Sequence, residues 1–463
     1  MENQTSKRVV LLIAAMASFL TPFMLSAVNV ALPLIGREYA MDAVSLSWVA
    51  TGYLLAAAIF LVPFGRLADI HGRKRFFVTG IVIYSSSALL AAASSSGAML
   101  LFARVVEGAG GAMIFGTGTA MLTSVFPPRE RGRALGINVA AVYMGLSLGP
   151  SLGGFLTQTW GWRSVFLTNI PLGLLIIVLA TWKLQGEWAE ARGEHFDLAG
   201  SVIYGLALLA LMLGLSQLPE GVGAVLILVG VAGIVLFVYW EMRIASPVLD
   251  VSLFRGNRTF AFSGLAALIN YSATFGVGFL LSLYLQYIKG LSPRDAGLVL
   301  LAQPLMQAIF SPFAGRLSDR VEPRVIASSG MGLTVLGLLT LTRLGENSSL
   351  GSIVISLLLL GFGFALFSSP NTNAIMSSVE RRYYGVASGV MGTMRLLGQM
   401  ISMGIVMLVF SLVIGQVEIT PDQYPLFLKS VKTDFAILSV LSVLGVVASL
   451  VRGRLRPTLA ESE

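Results

Sequence analysis

The sequence predicts an all-α polytopic membrane protein: two pseudo-symmetric six-helix bundles with two extra linker helices between them, about fourteen transmembrane helices in all. Three observations predict it. The chain of 463 residues is 56% hydrophobic and only 12% charged, with a mean hydropathy of +0.82, whereas soluble domains carry roughly a quarter charged residues. Its apolar residues gather in runs of about 20, the length that crosses a bilayer as a helix. A motif of the first half also returns about 250 residues later, as expected of parallel repeats.

Each run is bounded by Gly, Pro or charge. The first, 9–33, follows Lys7-Arg8 as a signal peptide would. It is longer than an h-region and more spans follow, so it is read as a retained helix. Runs at 46–65, 76–95, 99–122, 134–157 and 164–183 complete a bundle within 1–190. Runs at 197–217 and 222–241 form an inserted pair within 191–250. A second bundle, 251–463, holds runs at 259–286, 296–315, 325–343, 350–373, 385–412 and 433–452. An even count puts both termini on one side of the membrane. Segments on that side carry Lys7, Arg8, Arg73, Lys74, Arg75, Arg131, Arg133, Arg316, Arg324, Arg452 and many more, while the opposite loops hold only Arg37, Arg163, Lys289, Arg294, Arg343, Lys429 and Lys432. That bias of about three to one places both termini in the cytoplasm, with the protein multi-pass in the cell (plasma or inner) membrane.

Composition also excludes functions. There is no cysteine, and the two histidines, His71 and His195, fall in polar loops, so neither a metal centre nor Ser-His-Asp catalysis can be built easily. No Gly-x4-Gly-Lys-Ser/Thr loop is present, which argues against direct ATP drive. The net charge of +8 is spent on topology, so no nucleic-acid partner is expected. The chain reads as no enzyme and as needing no cofactor.

Gly65-Arg-Leu-Ala-Asp69-Ile-His-Gly72-Arg73-Lys74 recurs in part as Gly315-Arg-Leu-Ser-Asp319. Leu101-Phe-Ala-Arg104-Val-Val-Glu107-Gly108-Ala-Gly110 lies in the fourth span, and Gly145-Leu-Ser-Leu-Gly149-Pro150-Ser-Leu-Gly153-Gly154 in the fifth. In that order these segments resemble the loop, helix-4 and helix-5 antiporter motifs of the major facilitator superfamily. Leu25-Ser-Ala-Val-Asn29-Val-Ala-Leu-Pro33 and Trp162-Arg-Ser-Val-Phe166-Leu-Thr-Asn169-Ile-Pro171 are similar to its fourteen-span drug:proton antiporter (multidrug efflux) family. The resemblance implies a monomeric secondary transporter that exports lipophilic, drug-like molecules in exchange for protons by alternating access, the proton gradient being its energy source. A non-coupled facilitator or sensor, or an exporter of an endogenous lipid, metabolite or antibiotic, would use the same scaffold.

The motifs have physical readings. Gly65 lets the second span approach a neighbour, and Gly72 permits a sharp turn. Asp69 can pair with Arg73 or cap a helix N-terminus, a charge latch between the two halves; the second copy keeps Gly315 and Asp319 but lacks the Gly-Arg-Lys ending. Gly145, Gly149 and Gly153 form one stripe for close helix packing, Pro150 bends the helix, and with Gly154 this segment is expected to seal one half against the other. Glu107 is the only carboxylate well inside a predicted span, with Arg104 one turn away. An intramembrane ionisable group is by default functional: proton carrier, static ion pair and direct substrate contact are the three readings. Where many family members place a helix-1 Asp, this chain has Met24, which shifts weight to Glu107 or to neutral or anionic substrates. Candidate cavity residues are Met24, Asn29, Tyr53 and Tyr143 from the first bundle. The second contributes Asn270, Tyr271, Phe275, Gln303, Gln307, Asn371, Asn373, Arg395 and Gln399, with amides to orient a substrate and aromatics to supply apolar area.

Overall fold

A computed structural model describes residues 7–244, 247–249, 254, 256–318, 320–380 and 384–453, the side chains of 128, 129, 132, 384 and 385 aside. Among these residues fourteen helices are long and apolar enough to cross a membrane: α1 (Lys7–Glu38), α2 (Ala43–His71), α3 (Arg73–Ala92), α4 (Gly97–Val125), α5 (Arg133–Trp160), α6 (Arg163–Lys183), α7 (Leu198–Gln217), α8 (Gly221–Glu241), α9 (Arg258–Tyr287), α10 (Pro293–Ser318), α11 (Pro323–Leu341), α12 (Leu350–Ser377), α13 (Val386–Val413) and α14 (Pro421–Val451). Lipid supplies no hydrogen bonds, so every spanning backbone group must bond within its own helix.

Short polar residues set the helix starts, as N-caps do. Asp42 accepts from the amides of Val44 and Ser45 at the head of α2, Ser96 from Met99 at α4, Asn257 from Phe260 at α9 and Ser349 from Ser352 at α12. Gly72 (φ +122°) ends α2 and starts α3 in a single residue, a left-handed turn that favours glycine. The last span begins earlier than its apolar run, at Pro421 rather than 433. Lys429 is exposed and Lys432 half-buried, so long cationic stems lie along the helix while their heads reach the rim.

Packing repeats eight helices on. α1 lies on α5, and α2 and α3 lie on α4; α9 lies on α13, and α10 and α11 lie on α12. The two six-helix sets meet along α1/α9, α2/α13 and α5/α10. α7 and α8 pack mainly on each other, with α7 also touching both α2 and α13. There the Tyr204 hydroxyl donates to the Ala58 carbonyl (3.1 Å), and Ser411 bonds the Leu218 carbonyl just beyond α7.

Candidate functional site

Inside α4, Arg104 and Glu107 are both fully buried and 2.6 Å apart. Their i,i+3 spacing puts them on one helix face. The Arg104 Nε donates to the Val49 carbonyl of α2 (2.9 Å), and its guanidinium lies 4.7 Å from the Tyr53 ring centroid and 5.9 Å from that of Phe166. Tyr53 reaches this position because α4 is glycine there: a Cβ on Gly108 would strike the Tyr53 carbonyl, and one on Gly111 would lie 2.7 Å from its hydroxyl. Tyr84 closes the shell edge-on to Tyr53 at 6.5 Å. Four polar atoms of this shell are buried without a hydrogen-bond partner: Glu107 Oε1, one terminal nitrogen of Arg104, and the hydroxyls of Tyr53 and Tyr84. The pair is thus half satisfied, and such groups are costly unless they serve a second state.

The seam between the bundles collects part of the predicted cavity set. The Arg395 guanidinium, half-buried on α13, sits 5.0 Å from the Phe115 centroid across the seam and within electrostatic reach of Tyr53, Tyr143 and Tyr271. The Tyr143 hydroxyl bonds Ser368 of α12 at 2.6 Å; Tyr271 packs edge-on to Phe364 at 5.5 Å. Asn270 is buried with both amide atoms unpartnered, and Gln307 leaves its Nε2 unpartnered. Phe275 and Gln303 are half-buried and Gln399 is buried.

Other members of that set lie elsewhere. Met24 is fully buried in the apolar core, and Tyr53 belongs to the Arg104 shell. Asn29 joins the bundles by its backbone, its carbonyl accepting from Ser282 of α9 (2.7 Å). Asn371 is consumed by bonds to the Ser263 carbonyl and from Arg452 (2.8 Å), and Asn373 donates to Ser318 at 3.0 Å. Both asparagines join helices within the second bundle, because buried amides bond to whatever partner packing brings near.

The expected latch between halves has a different partner. Arg73 bonds Asp69 (2.7 Å), Ser124 (2.5 Å) and both oxygens of Glu190 (2.7 and 3.1 Å), while Arg66 pairs with Glu194 (2.5 Å). Glu187 accepts from the Lys74 amide, and Lys74 Nζ bonds the Leu184 carbonyl. The segment after α6 therefore clasps α2, α3 and α4 of its own bundle, since its three glutamates lie nearest the basic loop. Gly65 faces Gly116 of α4, where a Cβ would lie 3.4 Å from the Gly65 Cα; Gly315 has only ordinary contact, with Ser369. Asp319 lies outside the described residues. Burial works to raise the Glu190 carboxyl, but hydrogen bonds from Arg73 and Ser124, with the charges of Arg73 and Arg131, outweigh it and hold the group below its usual range. A depressed acid stabilises above its unfolded pKa and is lost as pH falls through the folded one. Spin labels placed on the 184–197 segment and on α3 should therefore keep their distance through mildly acidic pH and separate only below the ordinary carboxylate range; separation near neutrality would contradict the clasp.

The glycine stripe of α5 also packs within its bundle. Gly145 abuts Phe19 and Phe23 of α1, Gly149 abuts Ser26, and Gly153 abuts Ala27. The bundle-to-bundle contact falls to the neighbouring residues: a Cβ on Gly154 would strike the Pro293 carbonyl, and one on Gly297 the Pro150 carbonyl. Pro150 cannot bond the Leu146 carbonyl four residues back, and Ser26 Oγ approaches that carbonyl at 3.5 Å.

A sequence profile of the Major Facilitator Superfamily matches residues 14–403 and again 263–462. The chain belongs to the major facilitator superfamily. It is 33% identical to the multidrug resistance protein Stp of Mycobacterium tuberculosis (strain CDC 1551 / Oshkosh), across 82% of this chain and 71% of that protein. It is 34% identical to the cephamycin export protein CmcT of Amycolatopsis lactamdurans, across 84% and 82%, and 28% identical to the riboflavin transporter RibZ of Clostridioides difficile (strain 630), across 84% and 85%. The fold is similar to the crystal structure of a bacterial homologue of the human lysosomal transporter Spinster, with a TM-score of 0.71 and 15% identity over 99% of this chain and 100% of that one.

Two polar residues of this superfamily transporter are not where the sequence pattern puts them. Arg452, expected as a loop cation, is 1% exposed. Asp434 corrects the view that Glu107 is the only acid deep in a span: it is fully buried within α14, hidden from the sequence by a span start placed at 433.

Proposed function

We propose that the chain is a secondary active exporter of lipophilic small molecules, exchanging them for protons by alternating access between bundles 1–190 and 251–463. The single observation that carries this reading is the half-satisfied Arg104–Glu107 pair. Glu107 binds Arg104 through Oε2, while its Oε1 completes no hydrogen bond and has the Tyr84 hydroxyl as a neighbour, so a proton has a place to go. A neutral Glu107 loosens Arg104, and Arg104 also holds α2 through Val49 and Tyr53. Protonation of one side chain is thereby felt by a helix that lies on the bundle seam. The names of the relatives support export of drug-like cargo. The positive-inside bias supports cytoplasmic termini, and no group beyond the proton is needed to drive the cycle.

A second reading, an endogenous metabolite as cargo, is favoured by the likeness to RibZ and by the unpartnered amide of Asn270. Proteoliposomes containing a pH-sensitive dye, challenged with riboflavin and with a panel of lipophilic compounds including ethidium, test both. The expected result is uphill movement of a compound only in the presence of a pH gradient, with protons moving the opposite way. Uphill movement without that gradient overturns proton exchange.

A further inference from the structure

α14 contains a continuous α-helix from Tyr424 to Val451, and Asp434 lies about 15 Å along it at 1.5 Å per residue. Asp434 is fully buried, and neither of its carboxyl oxygens has a hydrogen-bond partner among the described residues. The helices packed against α14 are α9, α11 and α13. Their ionisable side chains are Arg258, Tyr271, Tyr284 and Tyr287 on α9, Arg324 on α11 and Arg395 on α13. None forms an ion pair or hydrogen bond with Asp434; Tyr284 donates instead to the Gly345 carbonyl (2.7 Å). Lys429 and Lys432 of α14 itself make no ion pair with it either. The surroundings are apolar. Toward one end lie the rings of Phe410, Phe427 and Tyr287, and one turn further along is Leu438. An unpaired carboxylate there would cost far more than its surroundings return, so the side chain rests as the neutral acid.

A row of hydroxyls leads away from it. Ser442 and Ser449 lie on α14 between Asp434 and the terminal side, and both are fully buried. Ser328 of α11 bonds Ser449 at 2.9 Å, and Ser442 reaches the Met331 carbonyl at 3.5 Å. The row ends beside Arg452, which is bonded to Asn371 and keeps one nitrogen unpartnered. The α11–α14 seam is therefore polar from the terminal side of the membrane as far as Ser442, about two turns of α14 from Asp434.

We propose that Asp434 is a second proton-binding residue, loaded in this conformation and discharged toward the terminal side along the α11–α14 hydroxyls. In that step the Asp434 O–H bond breaks, the electron pair stays on the carboxylate, and the proton passes to water at the terminal rim. The inference rests on the proton-exchange reading of Glu107 and adds a site in the other bundle. Infrared titration of the full chain in lipid nanodiscs, with carboxyl-labelled aspartate to separate Asp from Glu, tests it without any cargo. A protonated-aspartate carbonyl band is expected at neutral pH, absent in Asp434→Asn and bleached reversibly at alkaline pH. A missing band at neutral pH, or one that never titrates, overturns the proposal. In proteoliposomes with whichever panel compound the wild type exchanges for protons, the ratio of protons to compound should fall to about half in Asp434→Asn and recover in Asp434→Glu; an unchanged ratio overturns it. If the wild type moves no protons at all, the Glu107 reading fails, while the infrared band still decides Asp434.

Discussion

Glu107→Gln should abolish pH-gradient-driven transport, by at least about 100-fold, while the protein still reaches the membrane. Gln preserves the shape of Glu and its acceptor for Arg104, whose bond in the native pair is 2.6 Å, but it cannot take up or release a proton. Removal of Arg104 would test something else: an uncompensated buried carboxylate costs about 3–5 kcal/mol, and a folding defect would mask any effect on coupling. The informative measurement is therefore counterflow, exchange of labelled for unlabelled compound without net proton movement. Glu107→Gln should retain it while losing uphill transport. Wild-type uphill transport by the variant would remove the carrier role and leave a static ion pair.

The second large effect is expected at Gly154. A side chain there meets the Pro293 carbonyl and lies 3.1 Å from the Arg294 Cα, which holds α5 away from α10 on the side opposite the termini. If the bundles alternate as proposed, the clash belongs to one conformation alone, so Gly154→Leu should fold and should lose transport by more than about tenfold for want of that conformation. Since the chain has no cysteine, Ser282→Cys gives a clean reporter: Ser282 is fully buried beneath Asn29 in the closed seam. A membrane-impermeant maleimide should label it slowly in an otherwise native chain and rapidly together with Gly154→Leu. Equal protection in both, with transport intact, would show that this seam does not close the pathway.

Much of the architecture was legible because lipid enforces it. A backbone without water must be helical, and a helix in hydrocarbon must be apolar for about 20 residues, so the fourteen runs stand out. Where Lys429, Lys432 and Asp434 interrupt the last run, the same rule misplaces the helix start, since periodicity in one sequence does not show that two heads reach the rim while the third is buried. Arg104 and Glu107 were legible because opposite charges one turn apart in an apolar run are too costly to sit in hydrocarbon unless they face each other. The enclosing Tyr53 was not, because its place depends on the absence of side chains at Gly108 and Gly111 of another helix. The α5 glycines were legible as a packing stripe, but not their partner: spacing tells that a face is smooth and leaves open whether α1 or the opposite bundle rests on it. The same holds for Asn371 and Asn373, amides whose partners are fixed only by tertiary contact.

The contact of α7 with both α2 and α13 gives the molecule a blocked flank. A compound already dissolved in the bilayer that slips sideways between the bundles finds this flank barred by Tyr204 and the end of α7.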